Sequence, residues 1–83
     1  MRRERHNEKV VREVIVRLKQ LRRDRGFSQM DVYIDTDINI ARIESGHGNI
    51  SLSTLADLCD YYQLTLTEFF QIPVPQDPDT PQP

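Results

Sequence analysis

Apolar residues recur at steps of three, four and seven along Val10, Val11, Val14, Ile15, Leu18 and Leu21, with Arg12, Arg17, Lys19 and Arg23 on the opposite face. That period predicts an amphipathic first helix. Gly26, just past the cationic Arg22-Arg23-Asp24-Arg25, reads as its C-terminal stop. Ser28 with Asp31 three residues on forms a capping box with Asp in place of Glu, and opens a second helix. Leu52, Leu55, Leu58, Cys59 and Tyr62 give another amphipathic helix, capped by Ser51 or Ser53, and Thr67-Glu68-Phe69-Phe70 makes a final short turn. The stretch between Val32 and Ile43 is mixed. Ile38 and Ile40 alternate with Asn39 as in a strand, but that alternation puts Arg42 on the apolar side. Ile40 and Ile43 instead fall at helical spacing, and Glu44-Ser45-Gly46 closes the element, so a helix is expected.

Composition narrows the class without naming it. The chain's 83 residues make one small domain with a thin core. A hydrophobic share of 37% and a charged share of 29% suit a globular unit. No window approaches the roughly 18 apolar residues of a membrane helix. The basic start at Met1 to His6 leads into no apolar stretch, so no secretion signal is expected. The single cysteine cannot form an internal disulfide, and a cytoplasmic location is expected. All five prolines lie between Pro73 and Pro83. Residues 73–83 are expected to be a disordered proline-rich tail and residues 1–8 a flexible basic arm, leaving 9–72 as the folded unit.

Charge changes the picture more than composition does. Residues 1–25 hold ten of the eleven Lys and Arg against four acids, a net +6, while residues 26–83 hold Arg42 against nine acids, a net −8. One end of the chain attracts phosphates and the other repels them. Catalytic and metal chemistry find no support. Asp35-x-Asp37-x-Asn39 begins like a calcium loop, but Ile40 stands where its glycine belongs and Gly46 where its closing glutamate belongs. His6, His47 and Cys59 are too scattered for a zinc set, and Cys59 falls on an apolar helix face as a core thiol. No nucleophile, base and orienting group can be assembled, so neither an enzyme nor a cofactor or small-molecule substrate is expected.

Four ordered motifs carry a family resemblance over about residues 10–70. Leu21-Arg22 with Gly26-Phe27-Ser28-Gln29, then Arg42-Ile43-Glu44-Ser45-Gly46, then Asn49-Ile50-Ser51-Leu52-Ser53-Thr54-Leu55, and finally Leu64-Thr65-Leu66-Thr67-Glu68-Phe69, resemble the Cro/XRE-type, phage-repressor-like helix-turn-helix family. The resemblance implies an all-α domain of five helices that binds double-stranded DNA as a transcriptional regulator. It also implies a homodimer spanning two half-sites. One departure bears on function. Gln29 and Glu44 stand about three residues closer than the family's usual spacing, and the loss falls at the front of helix 3. Three residues is close to one turn, so Ile40 and Ile43 still reach the core, but the turn that usually reads bases is lost. Asn39 becomes the expected N-cap, and Asp37 takes the place of the usual turn glycine.

The resemblance also assigns candidate sites. Gln29 would contact the phosphate backbone and brace helix 3, or be an ordinary exposed first-turn residue. Asn39 would pair with an adenine edge or simply cap helix 3. Arg42 would bond a phosphate or guanine, or pair with Asp35 or Asp37. His47, Gly48 and Asn49 would offer phosphate contacts from the loop after helix 3, with His47 and Asn49 as the side chains. Arg22 and Glu44 stand where the family places a buried salt bridge. Arg2, Arg3 and Arg5 form a basic arm that can reach DNA. Tyr61 and Phe70 are surplus aromatics at the C-terminal end, available to a second subunit. The alternative reading is a protein-interaction module on the same scaffold, one member of a regulatory pair. The short helix 3, the acids Asp31, Asp35 and Asp37, and the negative net charge favour it.

Overall fold

In the computed structural model, which describes residues 7–46 and 49–75, the chain forms five helices, with no strand among the described residues. They are α1 (Glu8–Asp24), α2 (Gln29–Thr36), α3 (Ile40–Glu44), α4 (Leu52–Tyr61) and α5 (Leu66–Gln71). The all-α, five-helix expectation holds. Arg2, Arg3, Arg5, His6, His47, Gly48 and residues 76–83 lie outside the described residues.

Every helix starts on a polar side chain that accepts a backbone N–H of its first turn: Asn7, Ser28, Asn39, Ser51 and Thr65. Such caps satisfy donors that a helix leaves without intrahelical partners. Ser28–Asp31 and Thr65–Glu68 are full capping boxes. The second of these extends the expected final turn into a helix of its own. Ser51 rather than Ser53 caps α4. Helices α1 and α4 end alike. After α1, Gly26 is left-handed at φ 73°, and the N–H groups of Gly26 and Phe27 bond the carbonyls of Arg23 and Arg22. After α4, Gln63 takes the same conformation at φ 64°, and Gln63 and Leu64 bond Asp60 and Cys59. Between α2 and α3, Asp37 is left-handed at φ 61°, in the place where the family's turn glycine was expected.

The core gathers Val14, Leu18 and Leu21 of α1, Val32 of α2, Ile40 of α3, Leu55, Leu58 and Cys59 of α4, Tyr62, and Phe69 of α5. Three positions on the expected faces differ. Arg17 is buried, not solvated, because the chain beyond α5 folds back over α1 and the Arg17 Nε donates to the Ile72 carbonyl at 2.9 Å. Val10 and Leu52 lie in the first turns of α1 and α4, where no element covers them, and both are exposed. Among the described residues no helix is long and apolar enough to cross a membrane.

Candidate nucleic-acid interface

A buried polar junction sets the positions of α1, α2 and α3 relative to one another. The Arg22 guanidinium grips Glu44 with both arms of its fork, Nε to Oε2 at 2.7 Å and Nη2 to Oε1 at 2.9 Å. Its remaining Nη1 donates to the Phe27 carbonyl at 2.8 Å. Gln29, the first residue of α2, donates from Nε2 to Glu44 Oε1 at 3.0 Å. The carboxylate thus accepts three hydrogen bonds in a site where Arg22 and Glu44 are both buried. A bidentate arrangement is the strong form of such a pair. The bond to Glu44 is also the largest cause of the upward shift in the Arg22 pKa, so the guanidinium stays charged. The ion pair and the bracing of helix 3 by Gln29 are both present.

The front of α3 is open. The helix has only five residues, and Asn39 caps it by accepting the Arg42 N–H at 3.1 Å. Asn39, Ala41 and Arg42 are exposed while Ile40 points into the core. On one side of α3, Asn39, Arg42 and Asn49 share a groove of about 330 Å³ with Asp37, Ser51 and Thr54. On the other, Gln29 and Asn39 share a recess of about 210 Å³ with Met30 and Tyr33 of α2 and Ile40 and Ala41 of α3. The fold therefore brings together Gln29, Asn39, Arg42 and Asn49 around one short helix.

The acids near this face are partly spent. Asp31 accepts the Ser28 N–H at 2.8 Å within the capping box, and Asp35 accepts the Tyr61 hydroxyl at 2.6 Å. The Asp35 bond pushes the Tyr61 hydroxyl up to about 12. Tyr61 is half-buried, with its ring 5.5 Å from that of Phe27 and 5.1 Å from that of Tyr62. Phe70 is exposed, packs edge-on against Phe69, and lies under the Arg17 guanidinium at 5.7 Å.

Sequence reasoning passed over Met30, Tyr33 and Ile34, which are all exposed on α2. Apolar residues at helical spacing around Val32 look like core, and only the position of α3 shows that nothing covers them. Cys59 is buried, as expected, and desolvation pushes its thiol pKa up. Among the described residues no cluster of His, Cys, Asp or Glu is placed to hold a metal ion.

Residues 17–75 match the Cro/C1-type helix-turn-helix DNA-binding domain. The match covers most of the chain, which belongs to that family of DNA-binding regulators. No curated protein and no solved structure matches the chain.

Proposed function

We propose that this chain is a sequence-specific transcriptional regulator that binds double-stranded DNA in the cytoplasm as a homodimer and reads it with the short α3. The carrying observation is the Arg22–Glu44–Gln29 junction, which fixes α3 against α1 and α2 while leaving Asn39 and Arg42 exposed at its front. Gln29, Arg42, His47 and Asn49 are assigned to phosphate or base contacts, and Asn39 to the base edges. Arg2, Arg3 and Arg5 act as a basic arm, which ends before Asn7 because Asn7 caps α1 and Glu8 is its first residue. The binding domain runs on to residue 72, and 73–83 are a tail. Phe70 and Tyr61 supply the subunit contact, which Phe70→Ser would disrupt in sedimentation at high protein concentration.

A mobility-shift titration on duplex DNA at two salt concentrations tests the reading. Each phosphate contact contributes roughly 0.9 to the log–log salt slope, so deleting residues 2–6 should lower the slope by up to about 3. The loss should be equal for all sequences. Unchanged affinity and slope would reject the arm's role. The second reading, a protein-interaction module, is favoured by the uncovered apolar side chains of α2 and by Asp31, Asp35 and Asp37 around them. Failure to bind any duplex at low salt would select it and reject the regulator.

A further inference from the structure

We propose that the recess between α2 and α3 is a thymine-reading site, in which Met30, Tyr33 and Ala41 receive the 5-methyl group and the Asn39 amide N–H donates to O4. The inference rests on the DNA-binding reading above and names the base that this face selects.

The recess, about 210 Å³, is lined by Gln29, Met30, Tyr33, Asn39, Ile40 and Ala41, none of them charged. That is unusual on a helix whose sequence carries two acids and no cation. The acids are held elsewhere, Asp31 by its own capping box and Asp35 by the Tyr61 hydroxyl on the side toward α4. Met30 and Tyr33 are 62% and 47% exposed, so their apolar surface is uncovered in the free protein. The small side chain of Ala41 and the five-residue length of α3 keep the space open.

The polar groups decide which base fits. Asn39 Oδ1 already accepts the Arg42 N–H, so the Nδ2 donors are the part of this exposed amide most readily offered to a base. Bidentate pairing with adenine would ask the same oxygen to accept a second bond at an angle compatible with the cap. Adenine would also leave the apolar wall without a methyl group to cover. In the major groove thymine presents an O4 acceptor beside a methyl group. Cytosine presents a donor that would face the Asn39 donor, and neither adenine nor guanine has a methyl group. A donor beside an apolar wall is the complement of thymine alone.

The test starts from the duplex that the full chain selects from a randomised pool. Each thymine is then replaced singly by deoxyuridine, which lacks only the methyl group. At one thymine position or more, affinity should fall about fourfold, the worth of one buried methyl. In Met30→Ala and Tyr33→Ala the same replacement should cost little. Both residues are exposed, and thermal melting checks that these variants remain folded. A selected duplex that tolerates uracil everywhere, or that lacks thymine, would overturn the inference and leave the DNA reading standing. A methyl effect of equal size in wild type and variants would overturn it too. Absence of binding to any duplex would reject both together.

Discussion

At its C-terminal end α3 delivers Glu44 into a buried junction where every carboxylate bond comes from another element. At its N-terminal end the same helix is anchored by Ile40 in the core. Its polar bonds there are all local, the Arg42 N–H to the Asn39 side chain, the Ile43 N–H to the Asn39 carbonyl and the Ile40 N–H to the Ile38 carbonyl. The first end can be changed only at the expense of the fold. The second can vary at Asn39, Ala41 and Arg42, because these side chains are exposed and the cap is one that several residue types can supply, while Ile40 stays fixed in the core. Shortening the helix from its front therefore alters what is presented to a ligand while leaving the junction intact.

The largest effects should come from the buried end. Arg22→Ala or Glu44→Ala leaves a charge stranded, and each should destabilise by roughly 3–5 kcal/mol in denaturant unfolding. The double variant should lose less than the sum of the two, since the second removal takes away the charge that the first stranded. Strictly additive losses would show that the two residues are not coupled. At the open end, Asn39→Ala should cost only about 1 kcal/mol, the worth of a cap. Its larger consequence should appear in DNA discrimination, as a narrower gap between preferred and random duplex. Asn39→Ser keeps the cap and removes the amide donor. It should restore stability without restoring discrimination, and recovery of both would refute the amide's role.

This division also explains what could be read without coordinates. The Gly26 stop and the Ser28–Asp31 box follow from local rules that act within three or four residues, while the Asn39 cap and the place of Asp37 in the turn came from the family resemblance. Arg22 and Glu44 were legible because the motifs around them resemble a family that pairs them. The burial of Arg17 was not, because it depends on where the chain beyond α5 returns. Nor was the left-handed Gln63, since nothing in a glutamine announces that conformation. Met30 and Tyr33 were hidden for the same reason as Arg17. Periodicity says which residues share a face and is silent on what covers it.

Between the two ends, the core holds one polar atom that breaks the pattern. The Tyr62 hydroxyl is buried and has no hydrogen-bond partner among the described residues, unlike the satisfied Arg22 and Glu44 close by. Tyr62→Phe should leave stability at neutral pH unchanged or raise it by about 1 kcal/mol, because an orphaned buried hydroxyl costs more than it returns. Burial pushes this phenol up to about 12. In the unfolded chain a tyrosine titrates near 10. Below that value both states are protonated. As pH rises from about 10 toward 12 the unfolded state alone releases the proton, so stability is lost over that window. Melting temperatures followed through this range should fall less steeply for Tyr62→Phe than for wild type. Parallel curves would show that Tyr62 does not titrate in this way.

The smallest expected effect belongs to Asp37, the hinge between α2 and the open front of α3. Its left-handed φ of 61° is tolerated by Asp better than by most residues, and favoured by glycine. Asp37→Gly should relieve the strain, but the glycine also loses more backbone entropy on folding. The net gain should stay below about 1 kcal/mol. Asp37→Ala keeps the strain and loses the local polar side chain, so it should destabilise by a similar amount. Asp37 also borders the groove that holds Arg42 and Asn49, where a carboxylate opposes a phosphate. Both substitutions should therefore strengthen binding to all duplexes, most visibly at low salt where charge is least screened. Paired melting and mobility-shift measurements separate the two consequences, since stability should move in opposite directions while affinity moves in one. A loss of affinity in either variant would show that the Asp37 carboxylate serves the interface instead of opposing it.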